Sequence, residues 1–382
     1  MTSYRGITWD HPRGRNALVA AAGTAQGSDT GLRLTWSAHS LEDFESHPID
    51  DLARNYDLIV LDHPHLGEAL EHRSLIPLDA VVGTERIDRW SAQSVGPSFA
   101  SYSLDGLQWA LPLDAATQVA VRKPALVPSP PATWDDVELL SERVPVALSL
   151  AGPHAFLTFA SLCAAYDAPA GGSDGDGPGL PGFVPDDVGH SVLERLRVIG
   201  SRAPAAAAGL NPIALLQRMT DTDEIAYCPL VYGYVNYSSP TLRFTDAPSV
   251  VPGGRRGSTL GGTGLAVSSR ADVTPALIDH IDWLMSPEAQ RRFIPQHDGQ
   301  PSTRSAWLDD EVNRASAGFY RSTLATIEDS WVRPRFPGYI AFQTSASAIV
   351  RAVVAGQESV ESGLTRLRAE FSRARPLTTE RI

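Results

Sequence analysis

The stretch Tyr56-Asp57-Leu58-Ile59-Val60-Leu61-Asp62-His63-Pro64-His65 decides the fold. Its centre is wholly apolar, with no polar residue alternating into it. That pattern predicts a strand covered on both faces, as in the middle of a parallel sheet. Upstream, Leu32-Arg33-Leu34-Thr35-Trp36 reads as another strand, followed by Ser40-Leu41-Glu42-Asp43-Phe44, where Ser40 and Asp43 suit a capped helix start. Before that, Asn16–Gly23 is a small-residue helix and Tyr4–Trp9 a first strand. Strand, helix, strand, helix, strand predicts a doubly wound α/β lobe. In such sheets ligands bind beyond the carboxyl ends of the strands. The first and third strands both run into an Asp-His-Pro tripeptide, Asp10-His11-Pro12 and Asp62-His63-Pro64, so both tripeptides are expected on one rim.

Downstream, Leu107–Val121 reads as a strand carrying the chain out of this lobe into a second one. There Thr133 can cap a helix through Ser141, Val144–Leu150 is expected as a strand, and His154–Tyr166 is an apolar helix. Ala168–Pro185, rich in Gly, Asp and Pro, reads as a mobile surface loop. Helices are expected near Val192–Gly200 and Asn211–Met219, and a buried strand over Ile225–Val231. The chain returns through Gly257–Gly264 to a strand at Leu265–Ser268, then to helices at Ala276–Met285 and from Pro287 onward. The expected division is α/β throughout, with 1–113 and 258–310 forming one lobe, and 114–257 and 311–382 the other.

The bulk composition narrows the function. A chain of 382 residues is long for one domain and comfortable for two. A net charge of −12 argues against a nucleic-acid partner, whose phosphates demand a basic face. No apolar run approaches the roughly 18 residues of a membrane span, and Met1–Gly6 has no basic start leading into an apolar stretch, so the chain is expected to stay where it is made. Cys163 and Cys228 cannot build a disulfide framework; they are expected as buried thiols, with one bridge open to them if their Cα atoms come close. Nucleophilic catalysis finds no Gly-x-Ser-x-Gly elbow and no histidine-partnered cysteine frame.

The polar clusters carry two readings each. In Trp9-Asp10-His11-Pro12-Arg13 the indole could stack on a ligand while Asp10, His11 and Arg13 hydrogen-bond it, or Asp10 could simply cap a helix. Asp62 is expected as an acceptor for a ligand, with His63 beside it, or the histidines of Asp62-His63-Pro64-His65 are simply packed in the loop. A metal is not expected, because His63 and His65 on an extended segment would point opposite ways. Tyr232, Tyr234, Asn236 and Tyr237 suit stacking and orientation of a sugar-like ligand, or an apolar plug. Trp331-Val332-Arg333-Pro334-Arg335 offers guanidinium groups to a carboxylate, or to this acidic chain's own side chains.

Taken in order, Tyr56–Asp62, Leu75-Ile76-Pro77-Leu78-Asp79, Gly106-Leu107-Gln108-Trp109-Ala110-Leu111-Pro112 and Gly261-Gly262-Thr263-Gly264-Leu265-Ala266-Val267-Ser268, with Trp283–Gln290 after the last, resemble the solute-binding proteins of ABC importers, the type-2 periplasmic-binding fold. The resemblance implies two lobes joined by a hinge, with crossings near 112–120 and 250–262. It also implies a small polar ligand, sugar-like or a carboxylate, held in an interlobe cleft without cofactor, metal or catalysis. It would place Asp114 at one crossing, Gly261 and Gly262 at the return crossing, and Gln300 of Gly299-Gln300-Pro301-Ser302 on a turn at the cleft edge. It further implies a monomer served by an ABC permease, and a periplasmic or extracellular location. An enzyme on the same scaffold, working through Asp10 with His11 or Asp62 with His63, and an intracellular ligand sensor are the alternatives.

Overall fold

The computed structural model describes residues 2–27, 32–172 and 182–375. Its strands are β1 (Thr2–Trp9), β2 (Leu32–His39), β3 (Leu58–Leu61), the short hairpin β4 (Ser103–Leu104) and β5 (Leu107–Gln108), β6 (Ala110–Arg122), β7 (Tyr227–Tyr232), β8 (Arg243–Thr245) and β9 (Leu260–Val267). The chain divides into two compact units. The first comprises Met1–Ala116, Gly261–Ala315 and Arg335–Pro337; the second comprises Thr117–Leu260, Ser316–Pro334 and Gly338–Ile382.

In the first unit β2, β1, β3 and β9 lie side by side in that order, with the opening half of β6 next to β9. β1 is parallel to both β2 and β3, while β9 runs antiparallel to β3, pairing Leu61 with Gly264. The uninterrupted apolar run of β3 is explained by its neighbours. Leu58 and Val60 enter one core, with Leu34, Trp90, Leu113 and Leu277, and Ile59 and Leu61 enter the other, with Ile7, Leu66, Tyr102 and Ala266. Each fully buried side chain of this size contributes about 1.5–3 kcal/mol, so covering both faces is what makes β3 central. Ser40 caps the helix Leu41–Ser46 by accepting the Asp43 N–H at 3.0 Å.

In the second unit the far half of β6 pairs antiparallel with β7 and β8. Every residue of the helix His154–Ala165 is buried, as expected of a helix with apolar residues on every side, and His154, Thr158 and Ser161 are its buried polar members. It packs on Tyr339–Val354, and Phe156, Phe159, Phe183, Phe342 and Phe371 join their rings at centroid distances of 5.1–6.2 Å. The helix Trp134–Leu140 opens on a reciprocal cap. Thr133 Oγ1 accepts the Asp136 N–H at 3.2 Å, and the Asp136 carboxylate accepts the Thr133 N–H at 2.9 Å.

Two expectations change. Val144–Leu150 is not a strand: only Val146 bridges to Tyr227, because Pro145 has no N–H to continue a ladder. The glycines of Gly261–Gly264 lie within β9 itself rather than in a loop ahead of it. Residues 173–181 of the expected surface loop lie outside the described residues. Cys163 and Cys228 are both free and buried; burial pushes the Cys228 thiol up to about 12 and that of Cys163 well above its ordinary value.

Candidate functional site

Because β1 and β3 are adjacent and parallel, Asp10-His11-Pro12 and Asp62-His63-Pro64 follow their carboxyl ends at one edge of the first unit's sheet. β9 enters the unit at the same edge, since its Gly264 lies opposite Leu61. β6 leaves there as well: a Cβ on Gly262 would meet the Asp114 carbonyl oxygen at 2.4 Å and the Ala116 nitrogen at 3.0 Å. Gly262 has φ +91°, a conformation that suits glycine and lets the two backbones touch.

The strongest interaction at this edge is internal. Arg13, 6% exposed, grips Asp114, 4% exposed, through Nε to Oδ2 at 2.6 Å and through Nη2 to Oδ1. Burial raises the Asp114 carboxyl above its ordinary value, and the Arg13 charge and hydrogen bonds pull it back down. Gln300, also buried, donates Nε2 to the Ala115 carbonyl at 2.8 Å. His11 Nδ1 accepts the Arg13 backbone N–H at 3.2 Å. Burial first, and the Arg13 charge second, lower the His11 imidazole to about 4, so it is neutral at physiological pH. Asp10 does not cap the helix Pro12–Gly27; its exposed carboxylate pairs with Arg15 at 2.5 Å.

Several expected contacts are corrected by their surroundings. Trp9 offers no face to a ligand: it is 3% exposed, tilted against Phe44 with centroids 5.2 Å apart, and pressed by Gly14 so closely that a Cβ there would lie 2.4 Å from the ring. Arg13 is committed to Asp114. His63 is fully buried, edge-on to Tyr102 with centroids 6.2 Å apart, and its Nδ1 lies 3.1 Å from Asp62 Oδ1. The segment His63–His65 is a turn of 3-10 helix capped by Asp62, not an extended strand end, because the Asp62 carboxylate accepts the His63 N–H at 2.9 Å. Among the described residues, no cluster of three His, Cys, Asp or Glu side chains is placed to hold a metal.

In the second unit Tyr232 closes β7, partly exposed, with its hydroxyl donating to the Leu260 carbonyl at 3.4 Å and its ring edge-on to His154. Tyr234 is buried and Asn236 exposed. Arg333 is 2% exposed, with Nη1 held by the Gln343 side chain at 3.1 Å and Nη2 by the Leu260 carbonyl at 3.3 Å. Arg335, in the first unit, donates Nη1 to the carbonyls of Ala100, Ser101 and Ser103.

Sequence reasoning missed a buried polar knot in the second unit. Ser161 Oγ donates to Gln118 Oε1 at 2.6 Å and accepts the Thr259 N–H at 2.7 Å, while Ser258 Oγ donates to the Gln118 carbonyl at 2.6 Å. Thr117 Oγ1 joins it through Ser258 and the Thr259 carbonyl. The available signal was Thr117-Gln118 and Ser258-Thr259, polar pairs next to otherwise apolar strand segments.

This chain has the fold of the solute-binding proteins of ABC transporters. It is similar to the cyclic alpha-maltosyl-1,6-maltose binding protein of Arthrobacter globiformis, with 15% identity, a TM-score of 0.76 and 98% of each chain covered. It is likewise similar to an ABC transporter solute-binding protein of Agrobacterium radiobacter in complex with ribitol, with 18% identity, a TM-score of 0.76, and 97% of this chain and 98% of that one covered. The sugar-binding protein MalE of Xanthomonas citri matches at 15% identity and a TM-score of 0.75, over 98% of this chain and 97% of its own. No family model and no curated protein matches the sequence. Among the described residues, no helix is long and apolar enough to cross a membrane.

Proposed function

We propose that this protein is the solute-binding component of an ABC-type importer, and that its ligand is a neutral polyhydroxylated molecule, a sugar or a polyol. The observation that carries the ligand class is the internal commitment of the guanidinium groups. Arg13 is spent on Asp114, Arg333 on Gln343 and the Leu260 carbonyl, and Arg335 on three carbonyls. A carboxylate ligand would need a cation facing it, whereas hydroxyl groups are matched by the exposed Asp10 carboxylate, which Arg15 holds at one oxygen, and by the amide of the exposed Asn236. The likeness to structures described as binding maltose-type sugars and ribitol supports the same class.

The proposed contacts in the first unit are Asp10, His11, Asp62 and the Gly261-Gly262 backbone; Tyr232 and Asn236 are the second unit's candidates. Nothing in this assignment requires a covalent step, and the solved relatives carry descriptions of binding proteins. A permease would then be the partner that reads the liganded state.

The test is a thermal-shift panel of maltose-type sugars, pentitols and hexitols against matched carboxylates. A ligand at ~100 times its dissociation constant adds about 2.7 kcal/mol of stability. The expected result is a saturable shift with one neutral sugar or polyol, which is recovered chemically unchanged. A shift confined to carboxylates overturns the ligand class, and conversion of the compound overturns the binding-protein assignment.

A further inference from the structure

The second unit holds a pocket that the sugar-binding assignment does not use. It has a volume of about 350 Å³, at the lower end of the range for small-molecule sites, and its wall is built from Leu148, Leu150, Pro204, Ala208 and Val354. The small side chains of Ala203–Ala208 leave the space, and no aromatic ring, hydroxyl or amide side chain lines it. Arg351 is the single charged residue on its lining among the described residues. We propose that this pocket binds a small amphipathic monoanion, a medium-chain alkyl carboxylate, with its chain against Leu148, Leu150 and Val354 and its carboxylate on the Arg351 guanidinium.

The geometry of Arg351 supports this assignment. Its Nη1 donates to the Leu150 carbonyl at 3.2 Å and to the Gly152 carbonyl at 2.6 Å, which fixes the plane of the guanidinium beside the pocket. No Asp or Glu pairs with it among the described residues, and its Nε and Nη2 make no hydrogen bond there. The two carbonyl contacts leave its charge uncompensated, and burial lowers its pKa. A cation half-withdrawn from water without a counter-ion gains most from an anion that brings its own apolar body. The wall favours a saturated chain, because it has no ring to stack on an aromatic ligand and no polar group to orient a sugar.

Isothermal titration of the full chain with sodium octanoate, and separately with octan-1-ol, tests the proposal. Octanoate is expected to bind at one saturable site, and octanol at least about tenfold more weakly, as loss of a charge-assisted pair implies. Arg351→Gln should weaken octanoate to the same degree. Ala208→Phe, a substitution at an exposed position that fills the pocket, should abolish binding while leaving the thermal transition in place. Equal affinity for octanoate and octanol, octanoate binding that survives Ala208→Phe, or no octanoate binding up to millimolar concentration would each overturn it. Because the sugar response is measured on the same variants, a failure here is separable from a failure of the importer assignment.

Discussion

Arg13 and Asp114, 101 residues apart in the sequence, close on each other through two parallel hydrogen bonds with both side chains 4% exposed. The pair ties the first turn of the helix after β1 to the strand by which the chain leaves the first unit. It also explains why a guanidinium placed at the edge of the sheet is not available to a ligand.

Removing one partner leaves a buried charge without compensation, which costs about 3–5 kcal/mol. Arg13→Leu and Asp114→Leu are each expected to lower the unfolding free energy by an amount in that range, read as a lower urea midpoint. The joint Arg13→Met and Asp114→Leu variant should recover most of the loss, because a matched apolar pair leaves no unpaired ion. Urea unfolding of the full chain followed by circular dichroism gives both numbers.

His11 and His280 set an acid limit. Burial lowers each to about 4, against an ordinary 6.5. Between these values the unfolded chain binds more protons than the folded one, so stability is fully present above about 6.5 and falls as pH drops toward 4. His280 has burial as the sole cause of its shift, and it stacks on Trp283. His280→Phe should therefore flatten the decline of the melting temperature over this window; an unchanged slope would assign the acid sensitivity elsewhere.

Gly262→Ala should cost about 1–3 kcal/mol, since φ +91° is strained for alanine and its Cβ would press into the Asp114 carbonyl at 2.4 Å. Gly23→Ala is the matched control. That glycine sits in the helix Pro12–Gly27 with nothing within 4 Å of a Cβ, so alanine should stabilise by roughly 0.5–1 kcal/mol. Thermal melts of the two variants should move in opposite directions.

Ser161→Ala strips the acceptor from the Thr259 N–H and the donor from Gln118 Oε1, all in a buried setting. A loss of about 1–3 kcal/mol is expected. Ser201→Ala, at an exposed helical position, should stay within about 0.5 kcal/mol of the parent. Similar melting temperatures for both would show that water replaces the Ser161 hydroxyl.

Much of the fold could be read from residue pattern alone. Leu58–Leu61 announced a central strand because both faces of it are covered, and Ser40, Thr133 and the largely apolar His154–Ala165 announced their helices through local chemistry. Val144–Leu150 misled because β-branched residues suggest a ladder that Pro145, which accepts through its carbonyl but has no N–H, cannot extend. The polar groups were harder, since a residue type does not reveal its partner. Nothing near Arg13 in sequence points to Asp114, nothing near Arg333 points to Gln343, and Trp9 reads as a stacking surface until Phe44 and Gly14 are found against it.

Two neighbouring positions at the end of the first unit's part of β6 are read by partners from opposite ends of the chain. Asp114 answers to Arg13, and the Ala115 carbonyl, one residue on, answers to Gln300. Groups reverse direction at each residue along a strand, so a single residue inserted ahead of Asp114 would turn both away from their partners at once, and the strand would have to bulge to keep either.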